Sequence, residues 1–289
     1  MKKLVKILAV ALSVLTIGSL VACGGSGFNP EKNISVVTRE DGSGTKSAFM
    51  EIIGLKDKKD ISGVVVATST AAVLTEVKSN PLAIAFDSLG YVTNDVKKLT
   101  VDGVAATPEN IKNGTYAISR PLSVVYKEEN LTGVNLAFMN YLTSSDAQSI
   151  IKQNGYVTSA DDADVYQKTG LTGSINITGS TSLRPLMEKL ATAFETIETG
   201  ITVTVGGGGS GTGYNDAKNN VSAFGMISEK FTQSKAEGCV AKTVALDGIA
   251  IIVNLKNTVT DITKEQLKNI YDTDAGESAI KTWKQVIGE

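Results

Sequence analysis

Hydrophobic and polar positions along the chain fall into two alternating series. The first opens with a β-rich run, "ISVVT" (Ile34–Thr38), that ends in the loop Gly42-Ser43-Gly44-Thr45. "TKSAFMEIIGL" follows with helical periodicity and puts Phe49, Ile52 and Ile53 on one face. "VVVATST" and "LAIAFDS" predict strands on either side of a helix, "TAAVLTEVKS". "TPENIKNG" reads as a short helix with Pro108 near its start, and "LSVVYK" as a strand. "NLAFMNYLTSSDAQSIIKQNG" is a long amphipathic helical pattern with a break admitted at Ser144-Ser145.

The second series repeats the plan. "SINITGSTSLRPLMEKLATAFETI" and "ITVTVGGGGSGTGYNDAKNN" are each strand, polar loop and helix, and "SAFGMISEK" is a strand with a polar end. "LDGIAIIVNL" is a long strand, with helices predicted at "TKEQLKNIY" and "IKTWKQVI". Strand–loop–helix alternation on this scale predicts an α/β fold with helices on both faces of the sheets. At 289 residues, one large or two medium domains are expected.

Residues 1–22 change the picture at one end. "MKKLVK" precedes an apolar run from Ile7 to Ile17 and then small residues, the pattern of a secretory signal peptide. Leu20-Val21-Ala22-Cys23 is similar to a bacterial lipobox, which makes Cys23 the lipidated first residue of the mature chain and residues 23–27 a tether. Cys239 is then an unpaired thiol, expected to be buried. Without residues 1–22 the chain holds 25 basic against 30 acidic residues, a formal charge of −5, which argues against nucleic acid as a partner. There is no histidine, which removes Ser-His-Asp and Cys-His catalysis and histidine metal sites together. Two cysteines cannot build a cysteine-rich metal site. No metal and no cofactor is expected.

Four loops share one chemistry: Gly42-Ser43-Gly44-Thr45, Gly179-Ser180-Thr181-Ser182, Gly209-Ser210-Gly211-Thr212 and Gly225-Met226-Ile227-Ser228. Glycine lets backbone N–H groups approach a ligand, hydroxyls add donors, and a helix N-terminus adds partial positive charge. Any one such serine is commonly a helix cap. Four together describe a site for a small, dehydrated oxyanion. The chain has three arginines, Arg39, Arg120 and Arg184, against 25 lysines. Arg39 stands four residues before Ser43 and can bind an anion bidentately or pair with Glu40 or Asp41.

"ITGSTSLRPLMEKL", "VTVGGGGSGTG", "LDGIAIIVN" and "VVTREDGSGTKSAF" together resemble the substrate-binding lipoproteins of the bacterial ABC phosphate importer, the PstS family, over essentially the whole mature chain. In the usual family order the "GSTS" half precedes the "REDGSGT" half. Here the order is reversed, so the chain resembles a circular permutant. The resemblance implies a two-lobed, periplasmic-binding-protein-like (type II) fold with the ligand in the cleft and hinges at "SRPLSVVYK" and "GIAIIVNL". It implies one lobe from residues 28–123 plus 254–289 and another from residues 124–253. By motif it carries over Thr181, Ser182 and Ser210 from one lobe, and Arg39, Ser43, Gly44 and Thr45 from the other. Many members have an aspartate after "GAS" that accepts the proton of hydrogen phosphate. Ser228 stands there and remains a contact, with Asp41 a second candidate for that acceptor or for orienting Arg39.

The function implied is non-catalytic capture of inorganic phosphate outside the membrane and delivery to the permease subunits of an ABC importer, by a lipid-anchored monomer. Sulfate or molybdate on the same scaffold is the near alternative. A nucleotide-dependent enzyme is the distant one: Gly206-x-Gly208-x-x-Gly211 formally fits a dinucleotide fingerprint, with Glu229 placed for a ribose. A four-glycine run satisfies that pattern easily. No Walker A lysine and no Gly-x-Ser-x-Gly element accompanies it.

Overall fold

A computed structural model describes residues 27–160 and 162–288. In chain order the first series comprises β1 (Ser35–Arg39), α1 (Gly44–Ile52), β2 (Val65–Ala67), α2 (Thr70–Ser79), β3 (Ala83–Ser88), β4 (Lys97–Lys98), β5 (Thr100–Val101), α3 (Pro108–Lys112) and β6 (Ser119–Tyr126). Then come α4 (Gly133–Leu142), α5 (Ser145–Gln153), β7 (Val157–Thr158), β8 (Gly173–Gly179), α6 (Arg184–Ile197), β9 (Ile201–Gly208), α7 (Ser210–Lys218) and β10 (Phe224–Ile227). The chain closes with β11 (Val240–Val253), β12 (Asp261–Ile262), α8 (Lys264–Tyr271) and α9 (Trp283–Ile287). The predicted long helix is two: Ser144 caps α5, and its hydroxyl donates to Tyr141 O at 2.7 Å, drawing the chain out of helical register.

One continuous sheet runs β2-β1-β3-β11-β6-β10-β8-β9, with β4 and β7 also pairing β11. β1 is parallel to β2 and β3, and β8 is parallel to β9 and β10, as helical crossovers require. β11 joins the two halves. Val240–Gly248 pairs antiparallel with β6, and Ile249–Val253 pairs antiparallel with β3.

Two cores lie along this sheet. The first packs Phe49 on Phe86 at 4.0 Å between ring centroids, with Tyr271 edge-on to Phe49 at 5.0 Å. Each such buried ring contributes about 2–3 kcal/mol. The second gathers Phe138, Tyr141, Phe194 and Phe224. Apart from Val157, which joins the first core, core membership changes between Ile118 and Leu122 and again between Ala245 and Ile249. The crossover therefore falls slightly ahead of the boundaries at 123/124 and 253/254 read from the sequence, because β11 is longer than its apolar end suggests. Cys239 is buried and free in a small third cluster with Tyr214 and Ile227.

The first core draws on both ends of the chain. Ile34 N donates to Lys281 O at 2.8 Å, Lys284 N donates to Pro30 O at 2.9 Å, and the Phe28 ring meets Trp283 edge-on. Trp283 is fully buried and donates through Nε1 to Leu82 O. Among the described residues no strand beyond Asn254 pairs with β1. Its neighbours are β2 and β3, and the C-terminal segment contributes helices and the isolated bridge Asn33–Thr282. Thr282 and Gln285 form a capping box that starts α9 later than the pattern "IKTWKQVI" implies.

Candidate functional site

Four helices aim their N-termini into the cleft between the two cores. α1 and α2 enter from the first half of the sheet, and α6 and α7 from the second. Local sequence explains each start. Ser43 caps α1 by accepting Lys46 N, Ser69 caps α2 by accepting Ala72 N, and Ser180 accepts Leu183 N one turn before α6. Gly209, at φ 88°, turns the chain from β9 into α7.

Arg39, Ser43, Gly44, Thr45, Ser182, Ser210 and Ser228 are all buried there, and Thr181 is half-buried. Their contacts run across the cleft. Thr45 Oγ1 and Ser182 Oγ lie 2.8 Å apart, Arg39 Nη2 donates to Thr181 Oγ1 at 3.0 Å, and Gly211 N donates to Gly42 O at 3.0 Å. Ser210 Oγ accepts the N–H of Ser228 at 3.0 Å and lies 3.4 Å from its hydroxyl. The structure is thus closed. Gly44 permits that closure: a Cβ there would overlap Ser210 Oγ and stand 2.8 Å from Ser228 Oγ.

The electrostatics of the cradle are set by one guanidinium. Arg39 is 1% exposed, held by both oxygens of Glu40 at 2.8 and 2.9 Å and by Ala67 O at 3.2 Å. Of the two alternatives for Arg39, the pairing with a neighbouring carboxylate is therefore observed, and the same side chain reaches the loop hydroxyls. Asp41 is a correction. Its side chain is 99% exposed and pairs with Lys46 Nζ at 2.8 Å, which lowers its pKa, so Glu40 orients Arg39 instead. The strand ends at Arg39 and the chain turns at Asp41 and Gly42, which separates the two acids. Cys23 lies outside the described residues.

Two features escaped sequence reading. Thr70, first residue of α2, is buried with Oγ1 at 3.3 Å from both Thr181 and Ser182 hydroxyls and 3.4 Å from Arg39 Nη1. "ATSTAAVL" carried the signal, being another strand, hydroxyl run and helix, but it lacks the glycine of the other loops. Below the cleft, Arg120 pairs with Asp247 at 3.0 Å, both fully enclosed, and donates to Ser228 O at 3.0 Å. Arg184 by contrast pairs with Glu188 at the surface.

A sheet with two cores, bridged by two long strands and closed over a cleft of helix N-termini, defines a two-lobed solute-binding protein. A family model described as a PBP superfamily domain matches residues 13–146 and 164–289. Phosphate-binding protein PstS 2 of Streptococcus agalactiae serotype V is 35% identical over 279 residues, which span 93% of this chain and 94% of that one. A phosphate-binding protein of a phosphate ABC transporter from Streptococcus pneumoniae TIGR4 superposes with a TM-score of 0.71 at 32% identity, covering 88% of this chain and 99% of that one. Phosphate-binding protein PstS of Bacillus subtilis is 32% identical over only 133 residues, 45% of this chain and 43% of its own length. The chain belongs to the PstS family of phosphate-binding proteins.

Proposed function

We propose that this protein captures inorganic phosphate between its lobes, outside the cytoplasmic membrane, and delivers it to the permease of an ABC importer. It performs no chemistry on the anion. The observation that carries this reading is the cradle itself, in which one buried arginine and hydroxyls from four helix starts converge from both lobes. Arg39, Ser43, Gly44, Thr45, Thr181, Ser182, Ser210 and Ser228 hold the ligand, with Thr70 added to them. Hydroxyls that now bond each other across the cleft re-aim their donors at the anion, and Arg39 turns its Thr181-facing Nη2 to it while Glu40 fixes the rest of the fork. Ligand bonds to both lobes favour the closed state over the open one.

The lobes are residues 28–123 with 254–289, and 124–253, subject to the crossover described above. Their arrangement supports a circular permutation relative to other family members. A colinear match end to end with the S. agalactiae relative means a shared segment order, whereas a match limited to under half of the B. subtilis protein is what swapped halves leave. Among the described residues no helix is long and apolar enough to cross a membrane. Attachment through a lipidated Cys23, and action as a monomer, complete the reading.

Calorimetric titration with phosphate and sulfate tests it. Phosphate should bind far more tightly, and Arg39→Lys should weaken it. Equal affinity for the two anions would reassign the cleft to oxyanions in general, and an unchanged dissociation constant in Arg39→Lys would remove Arg39 from the site.

A further inference from the structure

At the cleft end of β3 stands a carboxyl group that the cradle does not use. Asp87 is completely buried. Its Oδ1 accepts Ser88 N–H at 2.8 Å, and its Oδ2 has no hydrogen-bond partner among the described residues. β1 and β3 pair in parallel with Ser35 opposite Ala83 and Val36 opposite Ile84. Continued to the strand ends, that register sets Asp87 beside Arg39 on the same face of the sheet. On its other side, Ala250 of β11 is its cross-strand partner.

The charges acting on Asp87 are Arg39 from β1, Arg120 from β6 and Asp247 from β11, and Tyr156, just before β7, faces the same group. α2 packs on β3 but brings no ionisable residue in its first turn, and α1 offers Phe49 to Phe86, on the opposite face. Each arginine already has its own carboxylate, Glu40 for Arg39 and Asp247 for Arg120. An ionised Asp87 is therefore surplus negative charge in a closed, dry cluster, and a captured anion adds more of the same sign. Burial pushes its pKa up to about 8 despite both arginines.

We propose that Asp87 couples phosphate capture to proton uptake. Its carboxylate is hydrated and ionised while the cleft is open, takes one proton from solvent as the lobes close on the anion, and returns it when they open. This rests on the cleft being the phosphate site. Each bound anion thus carries part of its charge compensation as a proton on the protein, and release at higher pH is favoured.

The test is calorimetry of phosphate binding between pH 6 and pH 8 in buffers of different ionisation enthalpy, on the native chain and Asp87→Asn. Phosphorus NMR of the bound ligand separates protons on phosphate from protons on protein. Proton uptake per phosphate should be larger in the native protein than in Asp87→Asn, by about half a proton or more. The native affinity should fall by up to tenfold per pH unit relative to Asp87→Asn, which still binds. Equal proton uptake in the two proteins would overturn the coupling while leaving the phosphate site standing. If Asp87→Asn does not fold, native uptake fully accounted for by the ligand's own proton would overturn the coupling in the same way. Absence of phosphate binding by the native chain would instead overturn the reading of the cleft, and the coupling with it.

Discussion

The cleft and the hinge each bury an arginine against a carboxylate, and on the proposed reading only the one in the cleft meets a ligand. At the hinge, Arg120 sends Nε and Nη2 to Asp247 and Nη1 to Ser228 O, so its donors are spent within the protein. At the cleft, Arg39 is gripped by Glu40 on one edge while Nη1 and Nη2 meet the hydroxyls of Thr70 and Thr181, groups that can turn elsewhere. The two guanidiniums are equally buried, although Glu40 is 27% exposed and Asp247 only 1%. What separates a ligand-binding arginine from a structural one is whether its remaining partners are rotatable hydroxyls or fixed acceptors.

That distinction can be broken experimentally. Asp247→Asn should be most damaging, costing about 3–5 kcal/mol of folding stability by leaving Arg120 buried without its counter-charge. Chemical denaturation reads this directly, and a loss under about 1 kcal/mol would mean that the pair contributes little. Arg39→Lys should show the opposite profile. Phosphate affinity falls by roughly 10–100-fold, about 1.5–3 kcal/mol of charge-assisted hydrogen bonding, with a smaller change in the unliganded protein's stability.

Asp87→Asn sharpens the contrast between compensated and uncompensated carboxyls. The unfolded chain releases this proton near the usual 3.8, whereas the closed, phosphate-bound protein keeps it until about pH 8. The native state thus binds more protons between those values, so this group lowers stability as pH rises through that window. With saturating phosphate holding the lobes closed, the melting temperature of Asp87→Asn should exceed the native one, by an amount that grows from pH 5 to pH 8. A difference independent of pH would show that Asp87 does not titrate there.

Thr70→Val should cost about 1 kcal/mol of phosphate binding, roughly fivefold, measured by the same calorimetry. Asp41→Asn should change affinity by less than about twofold, since an exposed pair with Lys46 contributes little. A large loss on Asp41→Asn would mean that this carboxylate swings into the open cleft.

Much of the fold was legible because its elements are short and locally marked. The runs "ISVVT", "LAIAFDS" and "GIAIIVNL" are apolar on both faces, which central strands need, and glycine–hydroxyl loops mark where helices begin. The backward extension of β11 to Val240 was hidden because Lys242, Thr243 and Asp247 interrupt its apolar residues and because it pairs with β6 and β7, partners distant in sequence. The site was read through its glycines, so Thr70, whose loop has none, went unseen.

Taken alone, the order of residues determined which loops could hold an oxyanion, that Arg39 was the charge beside them, and that histidine chemistry was excluded. These are properties of residue type and short spacing, which act over a few bonds. Only the tertiary structure decided that Glu40 rather than Asp41 holds Arg39, that Thr45 meets Ser182, and that Arg120 and Asp247 close on each other beneath Ser228. Those outcomes depend on which side chains share a face of the sheet and which strands lie adjacent. Pairings between residues far apart in the chain set both, and burial gives the resulting charges their energy.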